Sequence, residues 1–161
     1  HEGLLNAGRH WPEVCREWTQ RFGTDHGGAV QEMLCDDAEV ILVAMGAFGA
    51  EARMAVQELR GKGIKVGLAR IRMFRPFPAD VFRRLATGRR FVVVERNVAP
   101  GVGGTVYAEL RSCLYGHATS PVTGFIAGLG GRDVTYQNIC EMVAKAMSGD
   151  VVDVGWWGLQ D

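Results

Sequence analysis

The sequence predicts one α/β domain of three layers, in which a largely parallel, twisted sheet is covered by helices on both faces. Two observations support this fold class. Residues 40–44 and 91–94 are continuous apolar runs, as in strands that are covered on both faces. Four runs of this kind alternate with segments whose apolar residues recur at helical spacing, and that alternation is typical of a parallel sheet.

The elements follow one another with recognisable boundaries. Val14, Trp18 and Phe22 recur every fourth residue before Gly23, so they predict a first helix that ends there. Thr135 is the expected N-cap of the last helix. We expect a helical lead-in segment at 1–37, the α/β domain at 38–161, strands at 40–44, 64–71, 91–94 and 122–127, and helices with apolar faces around Ala52 and Leu59, Phe82 and Leu85, Val106 and Leu110, and Ile139 and Val143.

Composition excludes several classes of protein. Of the 161 residues, 18 are Lys or Arg and 18 are Asp or Glu, so the net charge is zero and favours neither nucleic acid nor an anionic membrane as a partner. The apolar runs are too short to span a bilayer. The chain begins with His1, which indicates a piece of a larger protein. Four cysteines, at 15, 35, 113 and 140, are too far apart for a CxxC motif and are expected to be thiols of a cytoplasmic protein.

Three glycine-containing loops follow predicted strands, at the edge of the sheet where open α/β folds bind ligands. The first has Gly46 and Gly49 but lacks the third glycine of a dinucleotide fingerprint, and the second strand ends in Arg70-Ile71-Arg72 instead of an acid. A tight turn is therefore favoured there. The other two loops, at 95–104 and 128–133, supply the candidate site residues Arg96, Asn97, Gly101, Gly103, Gly104, Arg132 and Asp133, as cofactor or interface contacts or a small-anion site.

No catalytic or metal-binding residue can be assigned. The sequence has no GxSxG elbow, P-loop or HExxH motif, and its four histidines fall in predicted termini or loops. Glu95 is the one candidate for a buried carboxylate, and we expect it to pair with Arg96 or another arginine. Residues 72–78 predict a stiff interface loop with outward arginines, and the apolar Trp156-Trp157 pair is expected to dock on this domain or a neighbour.

Four segments, in order and spacing, carry a resemblance to a known family. They are residues 37–39 with 44–46 and 63–68, the sequence RIRMFRPFP at 70–78, ERN at 95–97 with Pro100-Gly101 and Gly103-Gly104, and GLGGRDVT at 128–135. Together they resemble the C-terminal domain of the alpha subunit of pyruvate:ferredoxin oxidoreductase, within the 2-oxoacid:acceptor oxidoreductases. The resemblance runs from about Asp37 to Ala146 and implies a transketolase C-terminal-like, Rossmann-like fold.

The resemblance also implies a place in a larger enzyme. Enzymes of that family use thiamine diphosphate and magnesium to decarboxylate a 2-oxoacid, pass electrons through iron–sulfur clusters to ferredoxin or flavodoxin, and form acyl-coenzyme A. This chain has no Gly-Asp-Gly motif and no ferredoxin-type cysteine run. The expectation is therefore a non-catalytic, cytoplasmic domain that binds none of these cofactors, is inactive alone, and contacts the thiamine-binding and iron–sulfur subunits.

Two alternatives remain open at this stage. The glycines at 46, 49 and 101–104 fit a stand-alone nucleotide- or coenzyme-A-binding module. The same fold occurs in transketolase and in the beta subunit of 2-oxoacid dehydrogenases, although the Gly130-Gly131-Arg132-Asp133 loop argues against both. The 2-oxoacid, the electron acceptor and the oligomeric state are not determined by the sequence.

Overall fold

A computed structural model describes residues 1–151 and 153–159 and confirms the α/β fold. Six strands form one sheet, and helices cover both of its faces. The strands are β1 (Val30–Met33), β2 (Val40–Met45), β3 (Val66–Ile71), β4 (Arg90–Glu95), β5 (Val122–Ile126) and β6 (Val154–Trp156), and the helices are α1 (Glu2–Phe22), α2 (Phe48–Gly61), α3 (Ala79–Leu85), α4 (Thr105–Leu114) and α5 (Tyr136–Ser148), with a 3-10 turn at Leu129–Gly131.

The strand order β1-β3-β2-β4-β5-β6 places β2 near the middle of the sheet. All neighbouring strands run parallel except β1, which pairs antiparallel with β3. From β2 the chain moves to β3 on one side, and then crosses to β4 and β5 on the other. Val40 of β2 is in register with Val66 of β3 and with Arg90 of β4, so the carboxyl ends of these strands meet at one edge.

Alternating side chains of the strands build two apolar layers. Leu42 and Ala44 of β2 pack with the inward faces of α2 and α5, whereas Ile41 and Val43 pack with α3 and α4. Neighbouring residues of a strand point to opposite faces, so a wholly apolar strand serves both layers. None of these four side chains is more than 1% exposed, as predicted for a strand covered on both sides.

The sheet contains two strands that the sequence patterns did not predict. In β1 only Val30 is buried, and β6 is three residues long, so neither carries the apolar run of a central strand. β1 lies within residues 1–37, and the sheet therefore begins inside the segment that was set apart as a helical lead-in. Of the two docking places expected for the tail, this domain or a neighbour, the structure shows this domain: β6 pairs with β5, and Trp157 packs edge-on against Phe125, 6.4 Å between ring centroids.

The predicted helix boundaries are confirmed at both ends of the chain. Gly23 follows α1 in the left-handed conformation, with φ of 69°, and its N–H donates to the carbonyl of Thr19. Thr135 caps α5 in a capping box: its hydroxyl accepts the N–H of Asn138, whose side-chain oxygen accepts the N–H of Thr135. In the described part of the chain, no helix combines the length and the apolar character needed to cross a membrane.

Candidate functional site at the carboxyl edge of the sheet

A cleft opens between the carboxyl ends of β2 and β4, the strands at which the chain changes direction across the sheet. Open α/β sheets bind their ligands at such switch points, because the loops that follow the two strands diverge there. The cleft has a volume of about 210 Å³ and is lined by residues 45–48 and 95–97. Of the candidate residues from the sequence, Arg96 and Asn97 line this cleft.

All three predicted loops meet around one side chain, that of Arg96. Its guanidinium carbon lies 5.2 Å from the centroid of the Phe48 ring, a cation–π contact between the second loop and the start of α2. Gly128 of the third loop lies against both: a Cβ there would be 3.0 Å from Nε of Arg96 and 3.2 Å from the Phe48 ring. Arg96 is thus held in place, although its side chain remains exposed.

Glu95 has a different partner from the predicted one. Its carboxylate is 3% exposed and accepts the backbone N–H groups of Val106 and Tyr107, each at 2.8 Å, so it caps the first turn of α4 instead of pairing with an arginine. The Asn97 side chain donates to it at 3.5 Å. Burial raises the pKa of Glu95, and the hydrogen bonds from these donors oppose that rise. Glu95 therefore anchors the loop that carries Arg96 and Asn97.

The glycines of the second loop have steric reasons for their identity. Gly101 and Gly103 have φ of 79° and 111°, and a Cβ on Gly103 would lie 3.0 Å from Val154 of β6. Gly103 also forms an antiparallel bridge with Ala99, which closes the loop on itself. Gly104 immediately precedes α4 beside the Glu95 carboxylate. These residues shape the loop between the cleft and α4 but do not line the cleft.

Arg132 and Asp133 are exposed and are not among the residues that line the cleft. Arg132 follows the 3-10 turn, and its Cδ lies 3.8 Å from where a Cβ on Gly158 would be. Asp133 lies two residues before Thr135, the N-cap of α5, and takes no part in the cap. The two residues remain candidate contacts at the same edge of the sheet.

Arg70 departs from the dinucleotide fingerprint and begins the segment at 70–78, but it was not a candidate site residue, and it lies beside the start of α2. It donates to the carbonyl of Gly46 at 3.2 Å, and its side chain lies across Gly49, where a Cβ would be 2.1 Å from Nε. Burial, and then the positive charges of Arg72 and Arg53, lower the pKa of Arg70. The signal that could have located it is the pairing of an arginine at a strand end with a glycine in the neighbouring loop.

Arg70 and Arg96 flank the first turn of α2, and neither has an ion-pair partner among the described residues. Other arginines of the chain are neutralised: Arg60 binds Asp37 and Arg84 binds Glu32. The nearby Glu95 carboxylate is already bound by backbone N–H groups. The two guanidinium groups are therefore available to an anionic group of a ligand or of a partner.

The aromatic residues of the loop at 72–78 pack against the core. The rings of Phe74 and Phe77 meet edge to face at 5.9 Å, and Phe77 stacks on Phe82 of α3 at 5.4 Å. Arg75 extends from the loop to form an ion pair with Glu109 of α4. The rigidity expected of this loop thus has a physical cause, while its role as an interface stays a prediction.

The described residues do not fit a metal or cluster site. Over residues 1–151 and 153–159, no three His, Cys, Asp or Glu side chains lie close enough together to hold a metal ion. Cys35 and Cys113 are buried and Cys15 and Cys140 half-buried, and all four are free thiols. Burial raises the pKa of Cys113 to about 11, which keeps that group a thiol and makes it a poor metal ligand at neutral pH.

Comparison with known proteins decides the family. The profile of the pyruvate:ferredoxin oxidoreductase core domain II matches residues 38–139, which is more than half of the chain. The chain belongs to this family. The match begins at residue 38, directly after the segment 1–37 that contains α1 and β1. It covers the cleft and all of the candidate site residues. The resemblance proposed from the strand-end motifs is confirmed.

Named relatives are subunits of 2-oxoacid oxidoreductases. The chain is 40% identical to the pyruvate synthase subunit PorA of Methanothermobacter thermautotrophicus, over 92% of this chain and 38% of that protein. It is 34% identical to the ketoisovalerate oxidoreductase subunit VorA of Pyrococcus abyssi, over 92% of this chain and 39% of that protein. The chain thus spans about two fifths of the length of the curated relatives that it matches.

Solved structures share the fold. One is the 2-oxoglutarate:ferredoxin oxidoreductase of Magnetococcus marinus, with a TM-score of 0.53 and 16% identity over 81% of this chain and 21% of that one. Another is a split-gene transketolase, with a TM-score of 0.59 and 21% identity over 73% of this chain and 41% of that one. At these identities the likeness shows the transketolase C-terminal-like fold alone.

Proposed function

We propose that this chain is the non-catalytic C-terminal domain of the alpha subunit of a thiamine-diphosphate-dependent 2-oxoacid:ferredoxin or flavodoxin oxidoreductase, with pyruvate as the first substrate to test. The domain supports subunit assembly through its strand-end loops. The observation that carries this proposal is the arginine pair at the switch point, Arg70 and Arg96. Neither side chain has a carboxylate partner among the described residues, as expected of a surface that meets an anionic group elsewhere in the enzyme.

The reaction would take place elsewhere in the enzyme. In such an enzyme, thiamine diphosphate and magnesium would supply the chemistry of decarboxylation, iron–sulfur clusters would supply electron transfer, and coenzyme A would serve as the acyl acceptor. The described residues supply no ligand cluster for magnesium or for an iron–sulfur cluster, and we propose that other domains or the thiamine-binding and iron–sulfur subunits hold all of these groups. We propose a cytoplasmic enzyme, because the four cysteines of the chain are free thiols.

A chimeric subunit tests this proposal. This chain replaces the matched region of the Methanothermobacter PorA subunit, and the chimera is co-expressed with the other subunits of that enzyme. We expect the assembled complex to form, and the Arg96→Gln substitution to weaken assembly by about tenfold in the dissociation constant. Lys65→Gln is the matched control, because Lys65 lies beside the amino end of β3, at the opposite edge of the sheet. A chimera that does not join the other subunits contradicts the proposal.

The candidate contacts outside the cleft are tested in the same chimera. Arg132→Gln and Asp133→Asn change the charge of exposed side chains without touching the core. If the strand-end loops together form the contact surface, each variant weakens assembly more than Lys65→Gln does. If the dissociation constant of assembly is the same for these two variants, Arg96→Gln and the Lys65→Gln control, assembly depends on another surface.

A stand-alone nucleotide- or coenzyme-A-binding module is the second candidate function. The 210 Å³ cleft beside Arg96 favours it, because a guanidinium in a strand-end cleft suits a phosphate group. Thermal unfolding of the isolated chain with ADP or coenzyme A separates the two functions. Under our proposal neither ligand raises the midpoint, whereas a rise that Arg96→Gln abolishes would favour the binding module. Calorimetry with thiamine diphosphate and magnesium should likewise detect no stoichiometric site.

A further inference from the structure

Helix α1 is amphipathic, and its apolar side chains belong to neither core layer of the described chain. It is 21 residues long, yet none of its residues is buried, and neither of the two core layers contains an α1 side chain. One side of the helix carries an apolar residue at every fourth position: Val14, Trp18 and Phe22 are 52%, 46% and 60% exposed. Contiguous apolar patches of this kind on soluble proteins mark contact surfaces.

The contacts that hold α1 to the domain use a neighbouring face of the helix. Gly8 lies against Pro76, where a Cβ would be 2.7 Å from Cγ of the proline, and Trp11, Cys15 and Thr19 are half-buried. The stripe of Val14, Trp18 and Phe22 lies beside this inward face and remains about half exposed. The apolar side of α1 is therefore wider than the surface that the described domain offers to it.

A groove runs along that stripe. It has a volume of about 250 Å³ and lies between α1 and the segment around His26, with Trp18 and Val14 on the helix side and Arg72 on the other. The Trp18 ring packs on Phe22 at 4.3 Å and on His26 at 6.0 Å between centroids, so the aromatic groups form one preorganised cluster. A preorganised groove binds an apolar segment with little further loss of side-chain entropy.

The length of the relatives indicates what covers this surface. The match to the PorA subunit of Pyrococcus furiosus includes 99% of this chain but 42% of that protein, so α1 lies within the part shared with a longer subunit. The core-domain profile begins at residue 38, after α1. We infer that the Val14–Trp18–Phe22 face of α1 is the docking surface for the part of the alpha-type subunit that lies outside this chain, which binds through apolar side chains.

The area of the face favours that occupant over a second copy of this chain. At 1.5 Å per residue, the stretch from Val14 to Phe22 is about 12 Å long, and a strip about 10 Å wide covers about 120 Å². A stable dimer needs about 800 Å² on each partner. Within one subunit the covalent link supplies a high effective concentration, so a smaller apolar contact is sufficient. This inference rests on the proposed function, because it assumes a longer subunit.

Footprinting by hydroxyl radicals tests the inference in the chimeric subunit described above. In the isolated chain we expect oxidation of Trp18 and Phe22, with the 88% exposed Tyr115 as the reference. In the assembled chimera the oxidation of Trp18 and Phe22 should fall by about tenfold relative to Tyr115. Unchanged oxidation in an assembled chimera overturns the inference and leaves the proposed function standing, whereas a chimera that does not assemble contradicts the proposed function itself.

Substitutions give a second, independent readout. Val14→Gln with Phe22→Gln should leave the unfolding midpoint of the isolated chain nearly unchanged, because both side chains are exposed, and should lower the midpoint of the chimera. Met54→Gln is the matched control, since Met54 is also on a helix and is 50% exposed. Sedimentation of the isolated chain tests whether a second copy of the chain binds this face instead. A dimer that the double variant abolishes would show that it does, and would overturn the inference.

Discussion

A Cβ atom on Gly104 would lie 2.0 Å from Oε1 of Glu95, closer than any non-bonded contact allows. The buried carboxylate occupies the space beside the glycine because it caps α4, whose first turn begins at the next residue. The backbone of Gly104 has φ of −82°, so its identity is required by this contact and not by backbone strain.

Replacement of Gly104 by alanine tests that contact. We expect Gly104→Ala to lower the free energy of unfolding by about 2 kcal/mol, because either the loop or the capping carboxylate must move. Gly28→Ala is the control, since a Cβ there meets nothing within 4 Å and its φ is not positive. Equal stabilities of the two variants in chemical denaturation would show that Glu95 can leave its position without cost.

The stability of the protein should depend on pH through Glu95. Burial raises the pKa of this carboxyl above its ordinary value of 4.5, so the folded state retains the proton to higher pH than the unfolded state. The contribution of Glu95 to the free energy of unfolding is therefore largest below pH 4.5 and falls as pH rises through the raised folded pKa.

Comparison with Glu95→Gln isolates this effect. The variant has no proton to lose there, so its unfolding free energy should lack the part of the decline above pH 4.5 that comes from Glu95. It should also be less stable at every pH, because the Gln amide nitrogen cannot accept one of the two backbone N–H groups. Parallel pH profiles of the two proteins would contradict the assignment.

Arg60 joins three parts of the structure. It binds both carboxylate oxygens of Asp37 at 2.8 Å and donates at 2.7 Å to the carbonyls of Val66 and Leu34. We expect Arg60→Gln to lower the free energy of unfolding by about 2 kcal/mol, because two backbone carbonyls lose a charged donor. Asp37→Asn should have a smaller effect, since Arg60 would keep both carbonyls.

The pH dependence of that pair has the opposite sign from that of Glu95. The hydrogen bond from Arg60 holds the pKa of Asp37 below its ordinary value of 3.8. Its contribution is present above pH 3.8 and is lost as pH falls through the lowered folded pKa. Acid titration of wild type against Asp37→Asn checks this: the difference in stability should shrink in acid.

An added Cβ would meet rigid backbone at Gly67 but a flexible side chain at Gly49. A Cβ on Gly67 would lie 2.7 Å from the carbonyl oxygen of Leu34, part of a backbone that cannot move without breaking the edge of the sheet. At Gly49 the obstacle is the Arg70 side chain, which can rotate away. Gly67→Ala should cost about 3 kcal/mol and Gly49→Ala less than about 1 kcal/mol, measured by thermal unfolding. A Gly49→Ala variant as unstable as Gly67→Ala would show that Arg70 is held rigidly.

The fold class, the central strands and the helix caps follow from the sequence for local reasons. Apolar runs must be covered, and the Thr135 capping box and the left-handed Gly23 are decided within a few residues of the chain. The short edge strands β1 and β6 do not follow from sequence, because three or four residues with few apolar side chains become strands only when a finished neighbour offers its hydrogen-bonding edge.

What the sequence by itself determined about this protein is its α/β layering and, through four strand-end segments, its family. What only the tertiary structure decided is which side chains meet. Glu95 faces backbone donors 11 and 12 residues along the chain instead of the arginine beside it, and Arg70 reaches the loop that contains Gly46. Side-chain partners across a sheet depend on strand order and register, and local sequence patterns do not encode either.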